Sequence, residues 1–168
     1  MYFPCLSIPN SICDAKWDII ENCPNLKYNS YDNALYIGND KNPYVLLAKA
    51  VNQSIFSCEI HPETRIIGAY SFNKCHSLSQ IVIPDKVKHI GSRSFFLCLE
   101  LVSVTLPESL LSFGNEAFNG CVSLIEVYNL STLDLLSFKY YFIGVILMMV
   151  SNLFIGFVIT DAIAGNEE

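Results

Sequence analysis

The chain contains a repeat of 23 residues, and this period constrains its fold more than any other feature. Regular repeats of about 20 to 50 residues are typical of solenoids and related arrays. Each unit of such an array can bury its apolar side only against its neighbours, so successive copies stack around a continuous core. Four residue types hold the spacing through three copies: Gly68, Gly91 and Gly114; Phe72, Phe95 and Phe118; Cys75, Cys98 and Cys121; and Leu78, Leu101 and Leu124.

Apolar and polar residues alternate within each copy, over residues 78–83 and again over 101–106. A period of two predicts strands with one buried face, which we expect to pair in parallel from copy to copy. The segments around the repeated phenylalanines are expected to form short helical turns or bends, so the predicted fold class is an α/β repeat solenoid. The predicted core ladder consists of Phe72, Cys75, Leu78, Phe95, Cys98, Leu101, Phe118, Cys121 and Leu124.

The order of residues within one copy is Ile-Pro, then Val, Ile-Gly, Phe, Cys and Leu. This pattern, clearest at Cys75–Leu78 and Ile81–Pro84, resembles the BspA-like leucine-rich repeats and extends over residues 6–130. The resemblance implies a curved right-handed solenoid of the kind found in surface proteins of host-associated bacteria and some protists. Several members are similar to adhesins, and no catalytic residues belong to the family pattern.

Segments of different character flank the repeats. The first copy is degenerate and begins partway through a repeat, which indicates a truncated start. Two strand-like runs, Asn33–Ile37 and Tyr44–Ala48, are joined by a turn rich in glycine and asparagine, which predicts an inserted β-hairpin. The expected organisation is a degenerate repeat over 1–26, the inserted hairpin over 27–57, leucine-rich repeats over 58–137, a hydrophobic helix over 138–161 and an acidic tail over 162–168.

Residues 140–160 form a run of 21 residues without a charged side chain. At about 1.5 Å per residue, a helix of this length spans the roughly 30 Å hydrocarbon core of a bilayer. The run therefore predicts a transmembrane helix over 140–160, and a buried capping helix or a frameshifted sequence are the alternatives. Lys139 favours cytoplasmic repeats by the positive-inside rule, whereas the family resemblance implies repeats outside the cell.

The charged and reactive residues argue against several classes of function. A net charge of -6 without a run of lysine or arginine argues against a nucleic-acid partner. Cys58, His61, Cys75 and His76 could be drawn as a zinc site, but Cys75 shares its repeat position with cysteines that have no histidine partner. No motif pairs a nucleophile with a base, and no glycine-rich phosphate loop occurs. The sequence therefore predicts a non-enzymatic protein without a metal or cofactor.

The outward residues of the predicted strands form the candidate binding face for a protein or glycan ligand. The expected function is surface adhesion or host or matrix binding, and the alternative is an intracellular interaction scaffold, part of a larger protein. We expect a cell-surface or membrane-associated location, or a cytoplasmic one if the chain is complete and 140–160 does not span a membrane. The candidate face consists of Gln80, Val82, Ser103, Thr105, Glu126 and Tyr128.

Overall fold

The chain winds into a β-solenoid in the computed structural model, which describes residues 28–133 and 158–161. Each of the central coils contributes one strand to each of two sheets, and strands of consecutive coils pair in parallel. Residues one period apart, such as Ile81 and Val104, are direct partners in neighbouring strands. The 23-residue period of the sequence is therefore the length of one coil, which we call a rung.

Sheet B contains the strands that carry the alternating pattern. Its strands, in their order across the sheet, are β4 (Ser57–Glu59), β6 (Gln80–Val82), β8 (Ser103–Leu106), β10 (Glu126–Asn129) and β11 (Val158–Asp161), numbered along the whole chain. All neighbours in this sheet are parallel. Cys58, Ile81, Val104 and Val127 occupy equivalent positions and are buried. The residues on either side of them point away from the core, because successive side chains of a strand alternate between the two faces.

Sheet A combines an antiparallel end with parallel rungs. Its strands, again in order across the sheet, are β1 (Asn29–Tyr31), β2 (Ala34–Ile37), β3 (Leu46–Ala50), β5 (Ile66–Ile67), β7 (His89–Ile90) and β9 (Ser112–Phe113). The first three pair in antiparallel fashion, and β3 then pairs in parallel with β5 through Leu46 and Ile66. The antiparallel segment is therefore continuous with the solenoid and does not project from it.

The turn between β1 and β2 covers the outer edge of β4, the first strand of sheet B. Asn33 Nδ2 donates a hydrogen bond to the carbonyl oxygen of Ser57 at 3.0 Å. The backbone N–H of Glu59 donates to Asp32 Oδ2 at 2.8 Å. An uncovered edge strand leaves a row of unpaired backbone groups that invites further strand pairing. Asn33 and Asp32 therefore satisfy part of that edge. The segment β1–β3 forms the end of sheet A, and its first turn caps the β4 edge of sheet B.

Side-chain ladders along the solenoid axis form the core. The rings of Phe72, Phe95 and Phe118 stack in succession, with centroids 5.2 and 5.0 Å apart. The Sγ of Cys98 donates to the Phe72 carbonyl oxygen at 3.2 Å, and the Sγ of Cys121 donates to that of Phe95 at 3.1 Å. The Phe95 and Phe118 rungs are therefore each joined to the preceding rung by ring stacking and by a thiol hydrogen bond. The nine residues of the sequence-based ladder are all at most 1% exposed.

The predicted α/β fold class is wrong, because the described residues form strands and turns and contain no helix. The segments around the phenylalanines are turns in which two residues adopt left-handed backbone angles. These are Tyr70 (φ 59°) and Lys74 (φ 62°) in one rung, and Arg93 (φ 54°) and Leu97 (φ 58°) in the next. A right-handed helix needs consecutive residues with negative φ, and left-handed residues only four positions apart interrupt every such run.

The predicted C-terminal helix over 138–161 is also contradicted where the structure describes it. Val158–Asp161 form strand β11, which pairs in parallel with β10 through Val127 and Ile159. Val158, Ile159 and Thr160 are β-branched, which favours a strand, and the edge of β10 offers backbone partners. Within residues 28–133 and 158–161 there is no helix with the length and hydropathy to cross a membrane. The rest of the predicted span and the degenerate repeat over 1–26 lie outside the described residues.

Candidate interaction surface

The outer face of sheet B, which we call the sheet B face, carries all six residues of the candidate binding face. They occupy two columns that run across the strands. The register pairs Gln80 with Ser103 and Ser103 with Glu126, and it extends this column to Ser57 in β4. The second column consists, in rung order, of Glu59, Val82, Thr105 and Tyr128. The structure therefore places the six residues side by side on one surface.

Exposure differs among these residues. Val82 is 70% exposed and Tyr128 is 42% exposed, and Gln80 is also exposed. Ser103, Thr105 and Glu126 are half-buried. Their contribution to binding remains a prediction, but Val82 and Tyr128 offer the largest apolar contact area of the set. Exposed apolar residues that lie close together mark interaction surfaces more often than scattered ones do.

A third column, which the sequence did not predict, lies one residue before each strand. Phe56 is 72% exposed, and Val102 and Ile125 are 38% and 39% exposed. Backbone hydrogen bonds run along this column, from Ser79 to Phe56 at 3.2 Å, from Val102 to Ser79 at 2.9 Å and from Ile125 to Val102 at 3.0 Å. Val82 and Tyr128 lie on the other side of the column formed by Ser57, Gln80, Ser103 and Glu126. We refer to Phe56, Val102, Ile125, Val82 and Tyr128, the exposed apolar residues of this surface, as the apolar strip.

Two glutamates on the sheet B face are held by tyrosine hydroxyl groups. At the first rung, Tyr31 donates a hydrogen bond to Glu59 at 2.8 Å. At the fourth rung, Tyr128 donates to Glu126 at 3.1 Å. Each bond stabilises the neutral phenol beside a carboxylate, so it raises the pKa of the tyrosine concerned. The two carboxylates are therefore fixed in position at the two ends of the apolar strip.

The cysteines of the described rungs are structural. Burial raises the pKa of Cys58 to about 12, with a further contribution from the negative charge of Asp32. Burial alone raises the pKa of Cys75 to about 11. The pKa of Cys98 is raised by its interaction with the Cys121 thiol and by burial. Because the thiolate is the form that attacks electrophiles and binds metals, these thiols are poor nucleophiles and poor ligands.

The residues considered for a zinc site are used in other ways. Cys58 and Cys75 are buried, whereas His76 is exposed. His61 stacks on Tyr44 with ring centroids 3.8 Å apart, and its Nδ1 accepts a hydrogen bond from the Glu63 N–H at 3.1 Å. In the part of the chain that the structure describes, no three histidine, cysteine or acidic side chains are grouped to hold a metal ion.

Comparison with known proteins places the repeat in a family. A family model described as a BspA type leucine rich repeat region (6 copies) matches residues 51–146. The structure is similar to a leucine-rich repeat protein from Bacteroides ovatus, with 26% identity and a TM-score of 0.47 over 61% of this chain and 39% of that one. It is also similar to the pneumococcal vaccine antigen PcpA, with 22% identity and a TM-score of 0.47 over 62% of this chain and 31% of that one. A search of curated proteins finds no match.

The chain thus spans less than half the length of each of these two solved structures. The family match includes strands β4 to β10, which are the rungs that form the sheet B face and its core. It covers more than half of the 168 residues. The resemblance inferred from the repeat pattern is confirmed, and the chain belongs to the family of BspA-type leucine-rich-repeat proteins.

Proposed function

We propose that this chain is a non-enzymatic interaction module that binds a protein at a cell surface through its sheet B face. The observation that carries the proposal is the apolar strip, which extends over four rungs beside two fixed carboxylates. Interfaces are commonly built from an apolar centre in which tyrosine and phenylalanine are enriched, surrounded by a polar rim. A stack of parallel strands supports such a surface rigidly, which lowers the entropic cost of binding.

The chemistry of the described rungs supports binding more than catalysis. A catalytic cysteine sits in a partly exposed environment that favours the thiolate. The thiols of the repeat lie in the apolar core, where burial favours the protonated form. The sulfur atoms of Cys98 and Cys121 also donate to backbone carbonyl groups of the preceding rung. We therefore assign the cysteine column to folding and the sheet B face to function.

Substitutions on the two faces of the solenoid test the proposal. Binding of the full chain to a panel of immobilised extracellular-matrix proteins is measured for the wild type, for Thr105→Glu and for Tyr128→Glu. Leu111→Glu is the matched control, because Leu111 is 59% exposed and adjoins sheet A. We expect the sheet B variants to bind about tenfold more weakly, which corresponds to about 1.4 kcal/mol, and the control to bind as the wild type does. Unchanged binding by Tyr128→Glu would remove this face from consideration.

The proposed location needs its own experiment. Intact cells that produce the protein are treated with a protease that cannot enter them, and the repeats are then detected with an antibody against residues 60–130. Loss of the signal from intact cells supports surface exposure. Retention of the signal in intact cells, together with its loss after lysis, would support an intracellular scaffold and contradict the surface role.

A further inference from the structure

Two asparagines of the chain begin an Asn-X-Ser triplet. The triplets are residues 52–54, Asn-Gln-Ser, and residues 129–131, Asn-Leu-Ser. In neither triplet is the middle residue proline, so both fit the acceptor pattern for asparagine-linked glycosylation. Because the pattern requires serine or threonine two residues after the asparagine, the transferase must reach that hydroxyl group as well as the asparagine amide. The fold determines whether each triplet offers both groups.

The first triplet lies on an exposed turn between β3 and β4. Residues 51–54 are all exposed. The Oδ1 of Asn52 accepts a hydrogen bond from the Ser54 N–H at 2.8 Å, which is the arrangement of an Asx turn. Within the described residues, neither the Nδ2 of Asn52 nor the hydroxyl group of Ser54 has a hydrogen-bond partner. Both groups that the acceptor pattern requires are therefore available at the surface.

The backbone of this turn is held against the following rung. The Nε2 of Gln53 donates a hydrogen bond to the Asn73 carbonyl oxygen at 3.1 Å. Asn52 stands one period before Cys75, which is only 1% exposed and belongs to the core. The exposure of Asn52 is therefore a feature of the turn after β3 and is not shared by this repeat position in the later rungs.

The second triplet is closed by hydrogen bonds. Asn129 is the last residue of β10 and is 4% exposed. Its Nδ2 donates to the Leu133 carbonyl oxygen at 3.0 Å. The Oγ of Ser131 donates to the Asn129 Oδ1 at 2.6 Å and accepts from the Leu133 N–H at 3.3 Å. Strand β10 also pairs with β8 on one side and with β11 on the other. Both recognition groups are therefore occupied, and exposure of the Asn129 amide requires local opening of β10.

We infer that Asn52 is an acceptor for an asparagine-linked glycan in the folded chain and that Asn129 is not. The sugar donor is an oligosaccharide joined to a lipid through pyrophosphate. In the transfer, the Nδ2 of Asn52 forms a bond to the anomeric carbon of the first sugar. The bond from that carbon to the pyrophosphate oxygen breaks, and the pyrophosphate leaves with the bonding electron pair. The amide gives up one proton to a base of the transferase. The site does not depend on the ligand of the sheet B face.

Glycosylation of the purified full chain in vitro tests the inference. The folded chain is incubated with a single-subunit oligosaccharyltransferase and with chitobiose linked to lipid pyrophosphate, and the modified residues are identified by peptide mass spectrometry. We expect modification at Asn52 to be at least about tenfold faster than at Asn129, because Asn129 reacts only from an open state of β10. Absence of the glycan from Asn52, or equal rates at the two residues, would overturn the inference.

Synthetic peptides of residues 46–56 and 123–133 separate the effect of the fold from that of the local sequence. Each peptide contains one triplet without its folded surroundings, so we expect the transferase to modify both at similar rates. The preference for Asn52 should then appear only in the folded chain. Rejection of the second peptide by the transferase would show that local sequence excludes Asn129, and it would contradict the role assigned to burial.

Substitutions on exposed turns connect the modification to the first triplet. Asn52→Gln and Ser54→Ala should each abolish modification of the folded chain, because one removes the acceptor amide and the other removes only the hydroxyl group. Asn115→Gln is the matched control, since Asn115 is exposed on a turn and does not belong to a triplet. Modification of the control should equal that of the wild type. A glycan that persists in Asn52→Gln or Ser54→Ala, or that is lost in Asn115→Gln, would contradict the assigned site.

Discussion

Neighbouring rungs approach closely at two of the repeated glycines, Gly68 and Gly114. A Cβ atom on Gly114 would lie 2.3 Å from the backbone nitrogen of Ser92 in the preceding rung. At Gly68 the corresponding contact would be 2.9 Å, to the carbonyl oxygen of Leu47. The left-handed backbone angles of the repeat occur at other positions, among them Tyr70, Arg93 and Glu116. These glycines are therefore required for the space they leave, and a methyl group is enough to disturb it.

Gly114→Ala should lower the free energy of unfolding by about 1 to 3 kcal/mol, as overpacking of a close backbone contact typically does. The new Cβ contacts main-chain atoms of Ser92, which cannot move aside as a flexible side chain would. Urea denaturation followed by circular dichroism measures the change. Asn115→Ala is the control, because Asn115 is exposed in the same turn and its carbonyl bond to Arg93 is unaffected. Equal midpoints for the two variants would show that the rungs separate freely at this corner.

At the scale of elements, the segment β1–β3 ends the solenoid where the described rungs begin. Its turn supplies Asp32 as an acceptor for the backbone N–H of Glu59 and Asn33 as a donor to Ser57. Asp32 itself has a φ of 47°, a left-handed angle that aspartate and asparagine tolerate better than most residues. Asp32 therefore both shapes the turn and accepts a hydrogen bond from a backbone N–H at the edge of β4.

Asp32→Ala should destabilise the cap by about 1 to 2 kcal/mol, since it removes the acceptor and places alanine at a left-handed angle. Asp32→Asn keeps an acceptor oxygen, and asparagine tolerates the left-handed angle. This variant should therefore destabilise the cap by less than half as much as Asp32→Ala. Amide hydrogen exchange at Glu59 is the direct measurement, because this N–H is the donor to Asp32. Identical exchange in the two variants would mean that the turn does not protect β4.

The sequence alone predicts the strands of the rungs but not the conformation of the turns between them. The alternation of residues 78–83 and 101–106 is visible in the sequence and corresponds to β6 and β8. The left-handed positions are not visible, because tyrosine, arginine and glutamate occupy them in successive rungs and share no backbone preference. Helical turns were therefore expected where the structure has left-handed corners. The sequence also contains no periodic pattern that predicts the pairing of β1 with β2 or the side-chain cap on β4.

Alternation predicts the exposed residues within each strand of the candidate surface, but not the exposed residues just before a strand. Gln80 and Val82 follow from the alternation, since they flank the buried Ile81. Val102 lies two residues before the buried Val104, so alternation predicts that Val102 also points inwards. The strand begins only at Ser103, however, and Val102, just before it, is 38% exposed. Strict alternation of inward and outward side chains applies only within a strand.

At the scale of the whole molecule, the solenoid is a one-dimensional stack. Each rung contacts the rungs on either side, through the parallel strands and the Phe72, Phe95 and Phe118 ladder. The stability of such a stack is approximately a sum of terms for single rungs and for the interfaces between neighbours. The sheet B face is assembled from four of these rungs, so its geometry depends on every interface between them. A defect in a central rung should therefore disturb both neighbours.

Phe95→Ala tests this coupling, because the ring of Phe95 stacks on Phe72 on one side and on Phe118 on the other. We expect a loss of about 3 to 5 kcal/mol in the free energy of unfolding, as for other buried phenylalanines. Amide exchange should accelerate in both β6 and β10, because each of the neighbouring rungs loses a stacking partner. Phe96→Ala is the matched control: its ring is half-buried beneath the Arg93 guanidinium and should contribute about 1 kcal/mol or less. Faster exchange confined to the Phe95 rung would show that the rungs are independent units.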